Sequence, residues 1–414
     1  MRILWITNIL LPPASKAFKM PEQVVGGWMY SSLKRVKESY NGNIAVATIY
    51  SGKRLLEKEV DSIRYFLLPL KGKNATAYNK HLEEQWRIVA DIVRPDVVHI
   101  HGTEYPHGLA YVKACGPQGV VVSLQGIISC IARYYIAGID YKYIKSYLTF
   151  RDFIKRGNIY KEQASFAKRG EFETELIRSV NHIIGRTEWD KIHSLEINPD
   201  AKYHYSGETL RDSFYSHKWE YNKCQPHSIF VSQASYPLKG LHMLLKAMPF
   251  ILRNYPDTKI HVAGEDPTKA PWWRINGYGI YLKRLIKELN LRDKVIFEGM
   301  VDENKMCQCY LKSNVFVCCS SIENSPNSLG EAQLLGVPYV ASFVGGVPEI
   351  VNWNDKILYR FEEYEMLANK ICQVFDSKDS FNNDFDINRY NKNRNLNDLL
   401  KIYLEVSKLA FNDK

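Results

Sequence analysis

Two glutamates, Glu323 and Glu331, stand with seven residues between them in the stretch NVFVCCSSIENSPNSLGEAQLLGVPYVAS, which begins at Asn314. The stretch parses as a strand at 314–320, a polar loop at 321–327, a helix from about 328 to 335 and a strand at 338–342. Gly336 and Pro338 end the helix in the usual order. A loop that leaves a parallel strand and enters a helix turns its free N–H groups outward, and the helix dipole adds positive potential. Asn327, Ser328 and Leu329, with small Gly330 beside them, would therefore offer N–H groups to a phosphate. Glu323, just ahead of that cradle, is placed to accept from the hydroxyls of a sugar, and Glu331 from the two hydroxyls of a ribose. A plainer reading competes. Ser328 and Glu331 have the spacing of a capping box, which would leave Glu323 a solvated loop acid. A second glycine-rich turn tips the balance to a ligand: Gly345-Gly346 follow the next strand, and Glu349 opens the next helix after Val347-Pro348.

The elements that must hold these residues alternate along the whole chain. Apolar or β-branched runs at 2–7, 43–50, 96–101, 120–124 and 182–186 predict strands separated by helices. After the polar stretch 217–227 the alternation restarts at 228–233, 259–264, 294–299, 314–319 and 338–342. Gly240–Tyr255, with Leu241, Leu244, Leu245 and Met248 at helical spacing, is the clearest intervening helix. Such alternation predicts an α/β chain with two parallel sheets covered by helices on both faces. The expected division is 1–216, a linker at 217–227, a second domain at 228–395 and a terminal helix at 396–414. The Asn- and Asp-rich tract 377–397 reads as a loop.

The chain has 414 residues, 45% of them hydrophobic, and a formal net charge of +10. It can bury sizeable cores, and its charge favours anionic partners. Scattered lysines and arginines with no zinc-finger spacing argue against nucleic acid. The eight cysteines follow no CxxC pattern, which fits reduced thiols in a cytoplasmic protein. The first apolar run is broken by Asn8 and two prolines, so it reads as a strand and not as a signal peptide. No run approaches the length of a membrane span.

Glu323 to Glu331, followed by LLGVPYVAS and GGVPEIV, resembles the donor-site signature of the family 4 glycosyltransferases, which have the GT-B fold. Further resemblances run along nearly the whole chain. VVGGWMYSSLKR is similar to the family's N-terminal Gly-Gly loop, RPDVVHIHG to the strand before its acceptor cleft, IIGRTEWD to the end of its first domain and SYPLKGL to the start of its second. The resemblance implies two Rossmann-like domains facing across a cleft, with the C-terminal helix returning to the first. It also implies a retaining transfer from a nucleotide-sugar donor, uridine-linked on family frequency, to a saccharide acceptor, with neither a metal nor a cofactor. On that footing Lys239 neutralises the departing diphosphate, Glu323 holds the transferred sugar and Glu331 the ribose. Gly26 and Gly27 let backbone approach the donor or acceptor, and Glu298 and Gly299 line the base pocket.

Two positions depart from the family pattern. Gln233 stands where an arginine commonly provides a second phosphate clamp, and Gln125 where many members carry a histidine near the reacting sugar. Neither glutamine carries charge, and Gln125 is no general base. Both substitutions keep a non-catalytic sugar-nucleotide binder in view, alongside an epimerase of the same fold. Arg186 is either an acceptor-side charge or half of a structural ion pair. His99 and His101 share a strand face, His99 for the core and His101 for the cleft edge. The DFD at 384–386 resembles a metal-binding motif of another glycosyltransferase class, but in this polar tract it reads as chance. Between Arg133 and Arg178, ten lysines and arginines interleave with ten tyrosines and phenylalanines. That pattern suits either a solvated face with buried aromatics, or an acceptor-side surface at the inner face of the cell membrane, working on a lipid-linked acceptor.

Overall fold

The computed structural model describes all residues except 22–26, 71, 73, 147–148, 155–156, 378–384 and 413–414. Its chain divides into two compact units. The first comprises Met1–Cys130, Phe166–Thr209 and Asn388–Lys414, and the second comprises Ile131–Ser165 and Leu210–Ile387.

The first unit is built on eight strands: β1 (Ile3–Thr7), β2 (Ile44–Tyr50), β3 (Leu56–Val60), β4 (Ile63–Pro69), β5 (Val97–His101), β6 (Val120–Ser123), β7 (His182–Gly185) and β8 (Lys202–Tyr205). They lie in the order β3-β4-β2-β1-β5-β6-β7-β8, all parallel except the antiparallel β3–β4 edge pair. Alternation along β1 sends Leu4 and Ile6 into one core with the helices His81–Val93 and His107–Cys115. Ile3 and Trp5 go into the opposite core with the helices Gly27–Ser39 and Lys392–Asn412. The terminal helix thus returns to the first sheet through Leu399, Ile402, Tyr403 and Val406. It starts at Lys392, inside the tract expected to be a loop, because Asn391 Oδ1 accepts the N–H groups of Asn393 and Arg394 and so caps it.

The second unit carries β9 (Gln225–Val231), β10 (Lys259–Val262), β11 (Val295–Phe297), β12 (Ser313–Cys318), β13 (Tyr339–Ser342) and β14 (Leu358–Tyr359). Their order is β11-β10-β9-β12-β13-β14, parallel throughout. The polar stretch before β9 packs on this unit: Trp219 donates from its backbone N–H to Leu335 O and from its indole to Ser313 O, both at 2.8 Å.

Residues 131–165 form an excursion that leaves the first unit in sequence and packs on the second. Ala137 O meets His242 Nε2 at 2.8 Å, and Tyr134 O accepts from Ser321 Oγ at 3.2 Å. Tyr143 packs on Tyr281, and Phe150 on Trp272. Sequence order had assigned this stretch to the acceptor-side domain. Its apolar side chains instead find partners on the second sheet's helices.

Candidate functional site

In the second unit, the chain leaves β9 and makes one short 3-10 turn, Pro237–Lys239, before the helix Leu241–Asn254. Gly240 joins them at a φ of +69°, and a Cβ there would overlap the carbonyl oxygen of Cys319. Only glycine allows the lysine turn to lie so close to the end of β12. Ser321 N–H donates to Leu238 O at 2.8 Å and fixes the two loops in register. The result brings Lys239 Nζ within 2.5 Å of Glu323 Oε1, to which Ser320 Oγ also donates at 2.6 Å. Burial pulls the lysine's pKa down, but the Glu323 charge more than reverses this, so its pKa ends up raised.

The glycine pair after β13 closes the same place from the other side. Gly346 N–H donates to Glu323 O at 3.0 Å, and Gly345, at a φ of +52°, passes so close to that carbonyl that a Cβ would overlap it. The short helix beyond runs Val347–Ile350, so Glu349 lies within it.

The next helix is Asn327–Leu335, with Pro326 at its cap and Gly336 ending it at a φ of +78°. Ser328 lies inside the helix, and no side chain caps it, so the capping box is not formed. Leu329 and Gly330 turn their N–H groups back to Pro326 O. Among the described residues no bond meets the N–H groups of Asn327 and Ser328, which form the front of the helix. Glu331 is buried, and its Oε1 accepts two bonds from Arg211, at 2.9 Å from Nε and 2.6 Å from Nη2. Burial pushes the Glu331 carboxyl up to about 7 against the pull of Arg211. Tyr310, buried beneath, donates to Ser328 O at 2.8 Å.

Gln233 is exposed beyond β9, with its amide 3.4 Å from Ser235 Oγ. Glu298 follows β11, and its Oε1 lies 2.8 Å from His261 Nδ1. Gly299 (φ +73°) and Gly264 (φ +106°) bridge across the ends of β11 and β10, with Gly264 N–H on Gly299 O at 2.9 Å.

A separate cavity in the first unit gathers Gln125, His99, His101, Arg186 and Glu208 with Trp28 and Asn395. Gln125 follows β6, whose neighbouring loop is tied down by Glu173: this buried carboxylate accepts from Ile128 N at 3.0 Å, Ser129 N at 2.9 Å and Thr103 Oγ. Burial pushes Glu173 up to about 7. Arg186 is buried and paired with Glu208 at 2.7 Å. His99 bonds Tyr403 and Ser123, and its ring stacks on His101 at 3.7 Å. His101 is as buried as His99, so both line the cavity from inside the core, and burial holds both rings neutral. Gly27 begins the helix Gly27–Ser39, whereas Gly26 and Asp384 lie outside the described residues.

Comparison with known proteins bears on the fold. Residues 213–394 match the family model described as glycosyl transferases group 1. The glycosyl transferases group 1 span holds Gln233, Lys239, Glu298, Gly299, Glu323, Asn327 to Leu329 and Glu331, and it excludes Gln125, His101 and Arg186. Spore coat protein SA of Bacillus subtilis is 30% identical over 155 residues, covering 36% of this chain and 40% of that protein, so the match spans well under two thirds of the relative. Over the full length, the fold is that of sucrose-phosphate synthase from Thermosynechococcus elongatus: TM-score 0.65, 14% identity, 100% of this chain and 97% of that one. It is also that of Anabaena HepE, solved with UDP and glucose: TM-score 0.59, 14% identity, 100% and 98% covered. The two parallel-sheet units are thus those of the GT-B fold.

Arg211, Tyr310, Glu208 and Glu173 escaped sequence reading. Each is a lone polar residue with no spacing signal, and its partner stands at least 18 positions away.

Proposed function

We propose that this chain is a retaining glycosyltransferase that moves a sugar from a nucleotide-sugar donor, UDP-linked, to a lipid-linked saccharide acceptor in surface polysaccharide or glycan synthesis. The observation that carries the reading is the Lys239–Glu323 pair, held by two glycine turns four residues ahead of a helix whose first N–H groups are free. A diphosphate at that helix front would take the Lys239 ammonium from Glu323 and add the N–H groups of Asn327 and Ser328. Glu323, released, would accept from the hydroxyls of the sugar. Glu331, oriented by the two Arg211 bonds to its Oε1, would accept from a ribose. Glu298 and Gly299 would border the base. The departing phosphate itself would take the acceptor's proton, so the scheme calls for neither a metal nor a cofactor.

On the acceptor side, Gln125, His101 and Arg186 line one cavity, where a glutamine orients a hydroxyl without removing its proton. For the lipid, the excursion and the 271–274 turn expose Phe150, Phe153, Trp272 and Trp273, with Phe153 79% and Trp272 66% accessible. Arg133, Lys142, Lys145 and Arg151 interleave with the aromatics of the excursion. Aromatic and basic side chains together suit an anionic lipid interface, here the inner face of the cell membrane. A non-catalytic sugar-nucleotide binder is the second reading, favoured by Gln125 and Gln233.

The test is thermal stabilisation by UDP, GDP, ADP and their sugar derivatives, followed by turnover with the donor that binds. A shift with one base and transfer to a lipid-linked saccharide supports the proposal. A shift without transfer or hydrolysis supports the binder, conversion of the donor alone supports an epimerase, and no shift with any nucleotide overturns all three.

A further inference from the structure

At the β7–β8 edge of the first unit, three groups of metal-ligand type converge, none of them lining the cavity around Gln125. The parallel register pairs His182 with Lys202 and Ile184 with His204, so both histidines lie on the sheet face that carries Ile184. That face packs against Ile402 and Val406 of the terminal helix. Glu405 comes from the same helix. His182 Nδ1 and His204 Nε2 are 2.9 Å apart, their rings stacked at an interplanar angle of 28°. With a Glu405 oxygen, the three ligand atoms lie within 4.8 Å of one another.

A zinc ion bound to two imidazoles at about 2.0–2.1 Å with near-tetrahedral angles needs the nitrogens roughly 3.3 Å apart. The pair must open by only a few tenths of an ångström. Both rings are buried. A hydrogen bond between the facing nitrogens uses one proton, which a bound metal would displace. Two imidazoles and one carboxylate, with a water as fourth ligand, suit Zn2+ among divalent ions. Lys202, which bonds Glu405, is the competitor.

We propose that His182, His204 and Glu405 form a Zn2+ site that pins the C-terminal helix to the edge of the eight-stranded sheet. The site is structural and stands independently of the sugar-transfer reading.

The test uses the full chain, stripped with chelator, and titrates Zn2+ by calorimetry and thermal melting. The expected result is one ion per chain and a melting shift of about three degrees at a hundredfold excess over Kd. Co2+ as a probe should give the visible bands of a four-coordinate nitrogen and oxygen site. Glu405→Gln, at a partly exposed position, should weaken binding at least tenfold, His204→Asn should abolish the bands, and Lys202→Met should tighten binding. Absence of Zn2+ binding overturns the proposal. So does binding unchanged in Glu405→Gln, which would place the ion on other histidines or cysteines; this variant decides the matter should His204→Asn fail to fold.

Discussion

The Lys239 ammonium lies 2.5 Å from Glu323 Oε1 across 84 positions of sequence. Both side chains are mostly buried, at 22% and 15% exposure, yet neither belongs to an apolar core. A pair so placed is neutral as it stands and would offer its ammonium to an anion that displaces the carboxylate.

Replacement of Lys239 by Met should lower UDP affinity at least tenfold and turnover by about a hundredfold or more, the range for a lost charge-stabilising group. Glu323→Gln should leave UDP binding nearly intact but remove the extra stabilisation that a UDP-sugar gives over UDP. Calorimetric Kd values for both ligands check this. Equal losses for both ligands in both variants would mean the pair acts only structurally.

Gly240→Ala should cost more than 3 kcal/mol, since the new methyl group meets the Cys319 backbone and the residue must hold a φ of +69°. Gly336→Ala, at a φ of +78° with nothing within 4 Å of its Cβ, should cost only about 1–2 kcal/mol. Urea midpoints of the two variants separate steric overlap from backbone strain.

Arg211→Met removes the partner of Glu331, whose side chain is 6% exposed. The uncompensated buried carboxylate should cost on the order of 3 kcal/mol at pH 8. Adding Glu331→Gln should recover most of that loss, a coupling that a double-mutant cycle in urea reads directly.

Glu173 carries a pH dependence of definite sign. Its folded-state pKa is raised from 4.5 to about 7 by burial, with its three hydrogen-bond donors pulling the other way. A raised carboxyl binds its proton more tightly in the folded state, so its contribution is fully present below about pH 4.5 and is lost as the pH rises to about 7. Relative to Glu173→Gln, the wild-type chain should lose on the order of 3 kcal/mol across that window. Urea unfolding at pH 5 and pH 8 checks it. A constant difference between the two proteins would mean the carboxyl is ionised throughout.

For the exposed aromatic face, Phe153→Ser with Trp272→Ser should abolish sedimentation with phosphatidylglycerol vesicles and leave UDP binding unchanged. Retained sedimentation would place the lipid contact elsewhere.

Most strands that sequence patterning found are buried, although β11 is only half-buried and the buried β4 and β14 went unseen. Runs such as VVHIH and NVFVCC are apolar on both faces, because helices cover both sides of a parallel sheet. The β3–β4 hairpin went unseen: β3, LEKEV, is an exposed edge strand rich in charge, and its turn at Asp61-Ser62 takes positive φ without a glycine. The excursion at 131–165 was misassigned for a related reason, since sequence order says which residues are near in the chain and nothing about which helix offers a matching apolar face.

The sequence by itself determined the period of the elements, the place of the glycine turns, the helix front at Asn327 and the presence of Lys239, Glu323 and Glu331 beside them. These are local properties, written in spacing and residue type. Only the tertiary structure decided that Lys239 faces Glu323, that Arg211 holds Glu331, that His101 is enclosed with Arg186 and Glu208, and that His182, His204 and Glu405 converge. Each of those contacts joins residues from separate elements, and an ion pair or a buried hydrogen bond leaves no periodic trace by which either partner could announce the other.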